Sequence, residues 1–241
     1  MVAWSLVEFE EGPSTQSVAM GLASMGAPEG TTVMAKSQSA GHGRLGRIWH
    51  SPLGGLYMSF VLKPSALPKP EQISLVTALA VVEGIGRSTA VAPKIRWPND
   101  VMVGDKKLAG IIAEAQTRGG ELSEIVVGIG INCNTSVDGP DLQATSLSEL
   151  LGRDIDIVDL RLAILSSFSD LYDRWQRGEG MTSAWARSQS FGDTVSIKLK
   201  TEENPFSGKK SGLDAYGNLV VLTLGRLRIV RSEDLEWLRE R

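Results

Sequence analysis

Behind Pro13-Ser14-Thr15, apolar residues return at helical spacing at Val18, Leu22 and Met25, which predicts a helix capped by Ser14 or Thr15. Residues 32–36 and 56–62 are short β-rich runs and read as strands on either side of a glycine-rich segment. Pro70-Glu71 opens a strongly apolar helix that runs through Val82, with Gly84 and Gly86 expected to stop it. Residues 101–103, a Gly104-Asp105 turn and residues 107–115 predict a hairpin, and the mostly apolar run 125–133 a buried strand. Over 158–175, Leu160, Ile164, Leu171 and Trp175 share one helical face, and Gly178 ends the helix. From about residue 190 the pattern shortens to strand-sized runs at 194–200, 208–214, 219–224 and 226–231, with a turn at Tyr216-Gly217-Asn218. That tail predicts a small β-barrel, 190–241, appended to a larger unit, 1–189.

Length allows this division, since 241 residues hold one good domain or one plus a small second. The net charge of −3 disfavours a bulk nucleic-acid binder while leaving room for a local basic patch. A single cysteine, Cys133, excludes an internal disulfide and fits a reducing compartment. With only two histidines, a zinc site is not expected. The N-terminus lacks the basic start and long apolar core of a signal peptide, and no apolar run is long enough to span a bilayer. These features predict a cytoplasmic protein with no membrane or nucleic-acid partner.

The densest chemistry lies between residues 37 and 60. Gly41, Gly43, Gly46, Arg44, Arg47 and Trp49 fall within nine residues. Glycines let a backbone close around a ligand, arginines supply fixed charge for phosphate oxygens, and the indole offers a stacking face. The run Gly41-His42-Gly43-Arg44-Leu45-Gly46 matches G-x-G-x-x-G in form, but the sequence after it has no helical period, so it is not a dinucleotide fingerprint. Trp97-Pro98-Asn99-Asp100 alone would be a turn, and Lys107 alone a solvated lysine. In a hairpin, however, Lys107 alternates with Ala109, Ile111 and Ala113, all small or apolar, and a lysine on such a face needs an anionic partner. Gly128, Gly130 and Asn132 share one strand face, a flat floor for a ring with an amide to meet a base edge. Cys133 is expected to pack rather than react, and Trp4, Trp175, Trp185 and Trp237 to be core.

Together these segments closely resemble biotin–protein ligases, also called biotin–[acetyl-CoA-carboxylase] ligases or holocarboxylase synthetases, over essentially the whole chain. Ser14-Thr15-Gln16 resembles the family's biotin-ring motif, Gln38 a glutamine placed shortly before the loop, and residues 41–49 the biotinyl-AMP loop. Trp97-Pro98-Asn99-Asp100 matches a family signature, Lys107 its essential lysine, and Gly128-Ile129-Gly130-Ile131-Asn132 its glycine strand. Two positions depart. His42 stands where many members have arginine, and Arg96 where lysine is usual, so Arg96 receives no catalytic role.

The resemblance implies an α+β fold: a mixed sheet flanked by helices, related to class II aminoacyl-tRNA synthetases, with an SH3-like C-terminal barrel. Only 13 residues precede Ser14, so the monofunctional type without a DNA-binding domain is expected. The implied reaction joins biotin to ATP as biotinyl-5′-AMP, then transfers biotin to a lysine of a biotin carboxyl carrier protein. Lys107, Arg44 and Asp100 are the implied catalytic residues, with Mg²⁺ as a helper and Asp100 its candidate ligand. Asp100 is also placed to align the acceptor amine or take its proton. Ser14, Thr15, Gln16 and Gln38 are implied to meet the biotin ring, with Gly41, His42, Gly43, Arg44, Lys107, Gly128 and Gly130 around it. Arg44, Arg47, Trp49, Asn99 and Asn132 are implied to meet ATP. A homodimer is implied by resemblance alone. A lipoate or octanoate ligase would lack the polar anchors Ser14, Thr15 and Gln38; a non-catalytic relative would not need Arg44, Lys107 and Asp100 intact. A nucleic-acid-binding repressor fails on charge.

Overall fold

In the computed structural model, described over residues 2–64, 70–137, 143–181, 184–185, 188 and 194–240, a seven-stranded mixed sheet carries most of the chain. Its strands in chain order are β1 (Ser5–Gly12), β2 (Thr31–Gln38), β3 (Leu56–Leu62), β4 (Lys94–Arg96), β5 (Asp100–Val103), β6 (Lys106–Arg118) and β7 (Glu121–Ile131). They lie in the order β1-β2-β3-β7-β6-β5-β4. β1 and β2 are parallel, joined through a helix as parallel strands require; the other neighbours are antiparallel. This is the mixed α+β architecture the resemblance implied.

That connecting helix, α1 (Thr15–Ser24), is capped by Ser14, whose side chain accepts from Ser17 N. Of the apolar residues at helical spacing, Val18 and Leu22 are half-buried and pack at the edge of the helix's contact with the sheet. Ala19 and Ala23 are fully buried against Val33, Val61 and Val126, whereas Met25 is 85% exposed. Small side chains let α1 lie close on the sheet, so the larger apolar ones are pushed to its flanks.

The opposite face of the sheet is covered by α2 (Ile73–Ser88) and α4 (Ile157–Gln176), with the short α3 (Leu147–Leu151) between them in sequence. α4 buries the predicted Leu160, Ile164, Leu171 and Trp175, and Gly178 follows its end at φ 78°. α2 runs beyond its expected stop. A Cβ at Gly84 would sit 2.5 Å from Ile164 Cγ1, so this glycine permits the crossing with α4 instead of ending the helix. Trp4, Phe60 and Phe168 then pack edge to face, with centroids 4.8–5.9 Å apart.

A second sheet of five antiparallel strands forms the barrel-like tail: β8 (Thr194–Leu199), β9 (Phe206–Leu213), β10 (Leu219–Thr223), β11 (Arg226–Val230) and β12 (Leu235–Glu240). Sequence pattern missed β12, as it missed β1 and β4. The expected boundary at residues 189 and 190 lies outside the described residues. The two sheets share one hydrophobic cluster, in which Val195, Ile197 and Leu219 join the main core. Trp97 Nε1 donates to Gly217 O at 3.0 Å across the junction. Among the described residues no helix is long and apolar enough to cross a membrane.

Candidate active site

A cleft of about 1560 Å³ opens on the α1 side of the first sheet. The glycine-rich loop, the β5–β6 hairpin and β12 wall it. Of the site residues predicted from sequence, all but Gly41 line it. Gly41 sits behind the loop: a Cβ there would lie 2.5 Å from both Ser51 Oγ and Trp49 O, so only glycine lets the loop fold back on itself.

One end of the cleft is polar and deeply buried. Thr15 Oγ1 and Ser59 Oγ are 2.9 Å apart. Ser14 Oγ lies 3.4 Å from His42 Nδ1. Gln38 does not present a free amide. Its Oε1 accepts from Thr15 N at 2.8 Å and its Nε2 donates to Ser51 Oγ at 2.7 Å, so it ties the start of α1 to the far end of the loop. Gln16 is 3% exposed. Its Nε2 donates to Glu114 Oε2 at 2.9 Å and to Val126 O at 3.2 Å, while its Oε1 has no partner among the described residues. A Cβ on Gly128 would come within 2.6 Å of that oxygen.

The other end is charged. Lys107 Nζ lies 2.6 Å from Asp100 Oδ1, and Arg96 reaches Asp100 Oδ2 at 3.5 Å. Asp100 is thus the anionic partner that Lys107 required. The face of Lys107 differs from expectation. β6 pairs with β5 through a register shift beside Val101 and Met102, which leaves Leu108 and Ala109 both fully buried. This bulge reverses the alternation, so Lys107 shares the cleft face with Gly110, where an added Cβ would lie 3.5 Å from its Nζ, rather than with the buried Ala109.

Between the two ends lies Trp49. Its ring rests on Gly130 and Gly110, where added Cβ atoms would approach it to 2.5 Å and 3.1 Å. Lys107 Nζ stands 5.3 Å from the ring centroid. The indole N–H is buried without a partner among the described residues. The floor at Gly130 is therefore covered by the protein's own ring, and the floor at Gly128 by Gln16.

Arg44 donates to Asn99 Oδ1 at 3.3 Å and to Ser232 O at 2.5 Å. Burial lowers its pKa from the usual value, opposed by the charges of Asp100 and Glu233, and it stays a cation. Arg47 donates to Glu236 O at 3.2 Å. Both arginines thus pin the loop to the second sheet. Asn99 Nδ2 holds Ile111 O at 2.7 Å, and Asn132 Nδ2 holds Thr145 O at 3.0 Å. Burial pushes the Cys133 thiol up to about 12, which suits a packing residue.

Sequence reasoning missed Ser59, Ser51, Glu114 and Trp237. Ser59 and Glu114 carried a signal, Ser59 as a polar residue within the apolar β3 and Glu114 as the one charge in the small and apolar run 108–115 of β6. Trp237, expected in the core, is half-buried and lines the cleft, with the Arg239 guanidinium 4.8 Å from its ring centroid. Asp100 does not suit a metal ion, because both its oxygens face cations. No group of three or more His, Cys, Asp or Glu side chains gathers among the described residues.

Comparison with known proteins gives concordant findings. A family model described as the biotin/lipoate A/B protein ligase family matches residues 9–132. A bifunctional ligase/repressor, BirA, of Bacillus spizizenii is 38% identical over 230 residues, covering 92% of this chain and 71% of that protein. A biotin–[acetyl-CoA-carboxylase] ligase of Paracoccus denitrificans is 31% identical, over 78% of this chain and 82% of its own length. The biotin protein ligase of Aquifex aeolicus, solved with biotin and ATP, superposes with a TM-score of 0.86 at 30% identity, over 98% of this chain and 99% of that one.

Proposed function

Because the chain belongs to the biotin/lipoate A/B protein ligase family, we propose how its own residues carry out ATP-dependent biotin–protein ligation. The enzyme activates biotin with ATP to biotinyl-5′-AMP and then transfers biotin to a lysine of an acceptor protein. In the first step a carboxylate oxygen of biotin bonds to the α-phosphorus of ATP, and pyrophosphate leaves. In the second, a neutral acceptor amine bonds to the acyl carbon, AMP leaves with the bonding electrons, and the amine's surplus proton passes to solvent.

The observation that carries the assignment of roles is Lys107 on Asp100, at the charged end of a cleft whose other end is a buried polar cradle. Two anions meet in the first step, and a fixed cation between them lowers the barrier. Lys107 is that cation, and Asp100 aims it. Proton acceptance by Asp100 from the acceptor amine would sacrifice the ion pair, so alignment is the role the geometry favours for it. Arg44 and Arg47 supply further positive charge from the loop, and Trp49 offers its outer face to adenine. A magnesium ion would arrive on the phosphates of ATP, since the donor set here does not fit a protein-held ion.

At the polar end the biotin ureido group meets Gln16 Oε1 through an N–H, while the Thr15 and Ser59 hydroxyls serve its carbonyl. Gln38 acts by holding Thr15. The acceptor in this reading is a biotin carboxyl carrier domain, supported by the name of the Paracoccus relative. We divide the chain into a catalytic part, 1–189, and the SH3-like part, 190–241, supported by the change from a mixed to an antiparallel sheet. A homodimer and a cytoplasmic setting belong to the same reading. The uncovered edge of β1, with Leu6, Val7 and Phe9 exposed, supports the first, and the free thiol of Cys133 the second.

Incubation of the enzyme with biotin, ATP, Mg²⁺ and a recombinant carrier domain tests this reading. A mass increase of one biotinyl group on a single carrier lysine is expected. Adenylate formation without any transfer would contradict the assigned acceptor.

A further inference from the structure

Gln16 is held in a way that its own chemistry does not require. A glutamine amide can present either its N–H or its oxygen to a cavity, and rotation about its last torsion exchanges them. Here both groups that face Gln16 from the protein, the Glu114 carboxylate and the Val126 carbonyl, are acceptors. Only the amide nitrogen satisfies them. Turning the amide would set its oxygen against two other oxygens and leave the nitrogen in the cleft. The oxygen that remains is buried, lacks a partner among the described residues and lies beside Gly128 in the cleft wall.

We propose that Glu114, fixing the Gln16 amide at 2.9 Å, is a positioning residue that makes the cleft demand an N–H donor from its ligand. Glu114 itself touches no substrate in this arrangement. It acts through Gln16, and the Val126 carbonyl, part of β7, assists. The inference deepens the biotin reading and rests on it: a cyclic urea offers N–H groups, whereas a dithiolane ring or a plain acyl chain offers none. An acyl chain in that place would leave a buried acceptor unpaired, which disfavours it by roughly five- to a hundredfold. Selectivity against such ligands then resides in a carboxylate outside the first contacts.

The test uses biotin and its two carbamate analogues, in each of which one ureido N–H is replaced by a ring oxygen. Dissociation constants are measured for the wild-type chain, Glu114→Gln, Gln16→Met and the double variant. The wild type should prefer biotin over one of the two analogues by roughly ten- to a hundredfold. Glu114→Gln should remove most of that preference, because a neighbouring amide can pair with either orientation of Gln16. Its KM for biotin should rise, while kcat at saturating biotin and the KM for ATP stay within about twofold. In the Gln16→Met background, Glu114→Gln should have no further effect, since its influence passes through Gln16. Glu114→Met, of similar volume and with only a weak acceptor, provides a second variant with the same expected sign should the first fold poorly. Unchanged preference in the folded Glu114 variants, or equal losses with and without Gln16, would overturn the inference while leaving the ligase reading intact. A wild-type chain that bound no biotin would defeat both.

Discussion

Single atoms decide what this cleft can hold, and Lys107 and Gly128 test that at its two ends. Lys107 Nζ sits 2.6 Å from Asp100 Oδ1 and 5.3 Å from the centroid of the Trp49 ring, and in the proposed reaction it meets the biotin carboxylate and the α-phosphate. Lys107→Ala is expected to cost about 2–4 kcal/mol in kcat/KM for adenylation, comparable to loss of an oxyanion-hole donor, in a chain that remains folded. Pyrophosphate release and a thermal melt check both halves; near wild-type turnover would make Lys107 a bystander. Gly128→Ala acts at the other end. The added methyl would meet Gln16 Oε1 at 2.6 Å and Ile112 Cγ2 at 2.8 Å, and Gln16 cannot retreat while Glu114 holds it. The KM for biotin should rise at least about tenfold with the KM for ATP little changed, as expected when one ligand's contacts alone are lost. At this scale the sequence was informative about membership of the cleft and less so about roles. Gln38, Gln16 and Asp100 were all visible in the motifs. That Gln38 spends both ends of its amide inside the protein, and that Asp100 has both oxygens facing cations, depended on partners distant in sequence.

The glycine-rich loop carries both candidate phosphate-binding arginines, and its anchors to the second sheet are side chain to backbone. Gly43 N bonds to Arg47 O at 2.8 Å and Trp49 N to Gly41 O at 2.9 Å, so the loop has an internal framework. Its attachment to the second sheet rests on Arg44 to Ser232 O and Arg47 to Glu236 O. The same guanidiniums are the phosphate contacts of the proposed reaction, so an adenylate strengthens the ties that hold the loop down. Amide hydrogen exchange of residues 41–49 is expected to slow when biotinyl-AMP is bound. Arg44→Gly should release the adenylate and raise stray labelling of lysines on bystander proteins. Equal protection in both states, with no rise in labelling, would show a static scaffold. Other elements show why periodicity reads some features and not others. α4 was legible because its apolar stripe follows helical spacing throughout. α2 was cut short at Gly84 because the sequence cannot reveal that Ile164 passes over it. β1 escaped notice because nearly all of it is exposed and only its pairing with β2 makes it a strand. The bulge beside Leu108 inverted the expected face of Lys107 without altering the residues that form the hairpin.

At the scale of the whole molecule, one hydrophobic cluster ties the seven-stranded sheet to the five-stranded one, and the cleft takes walls from both. Trp97 of the Trp-Pro-Asn-Asp segment bonds to Gly217 of the tail, and the loop arginines reach Ser232 and Glu236. The tail is therefore part of the wall of the candidate active site, a feature that strand-sized runs with polar turns did not disclose. In the proposed reaction this cleft builds an acyl-adenylate from a ligand that brings N–H donors to the buried oxygen of Gln16. The most direct measurement is mass analysis after incubation with ATP, Mg²⁺ and an equimolar mixture of biotin and lipoate. Biotinyl-AMP with pyrophosphate, and little or no lipoyl-AMP, is the expected result. Efficient lipoyl-AMP formation in the absence of biotinyl-AMP would contradict it.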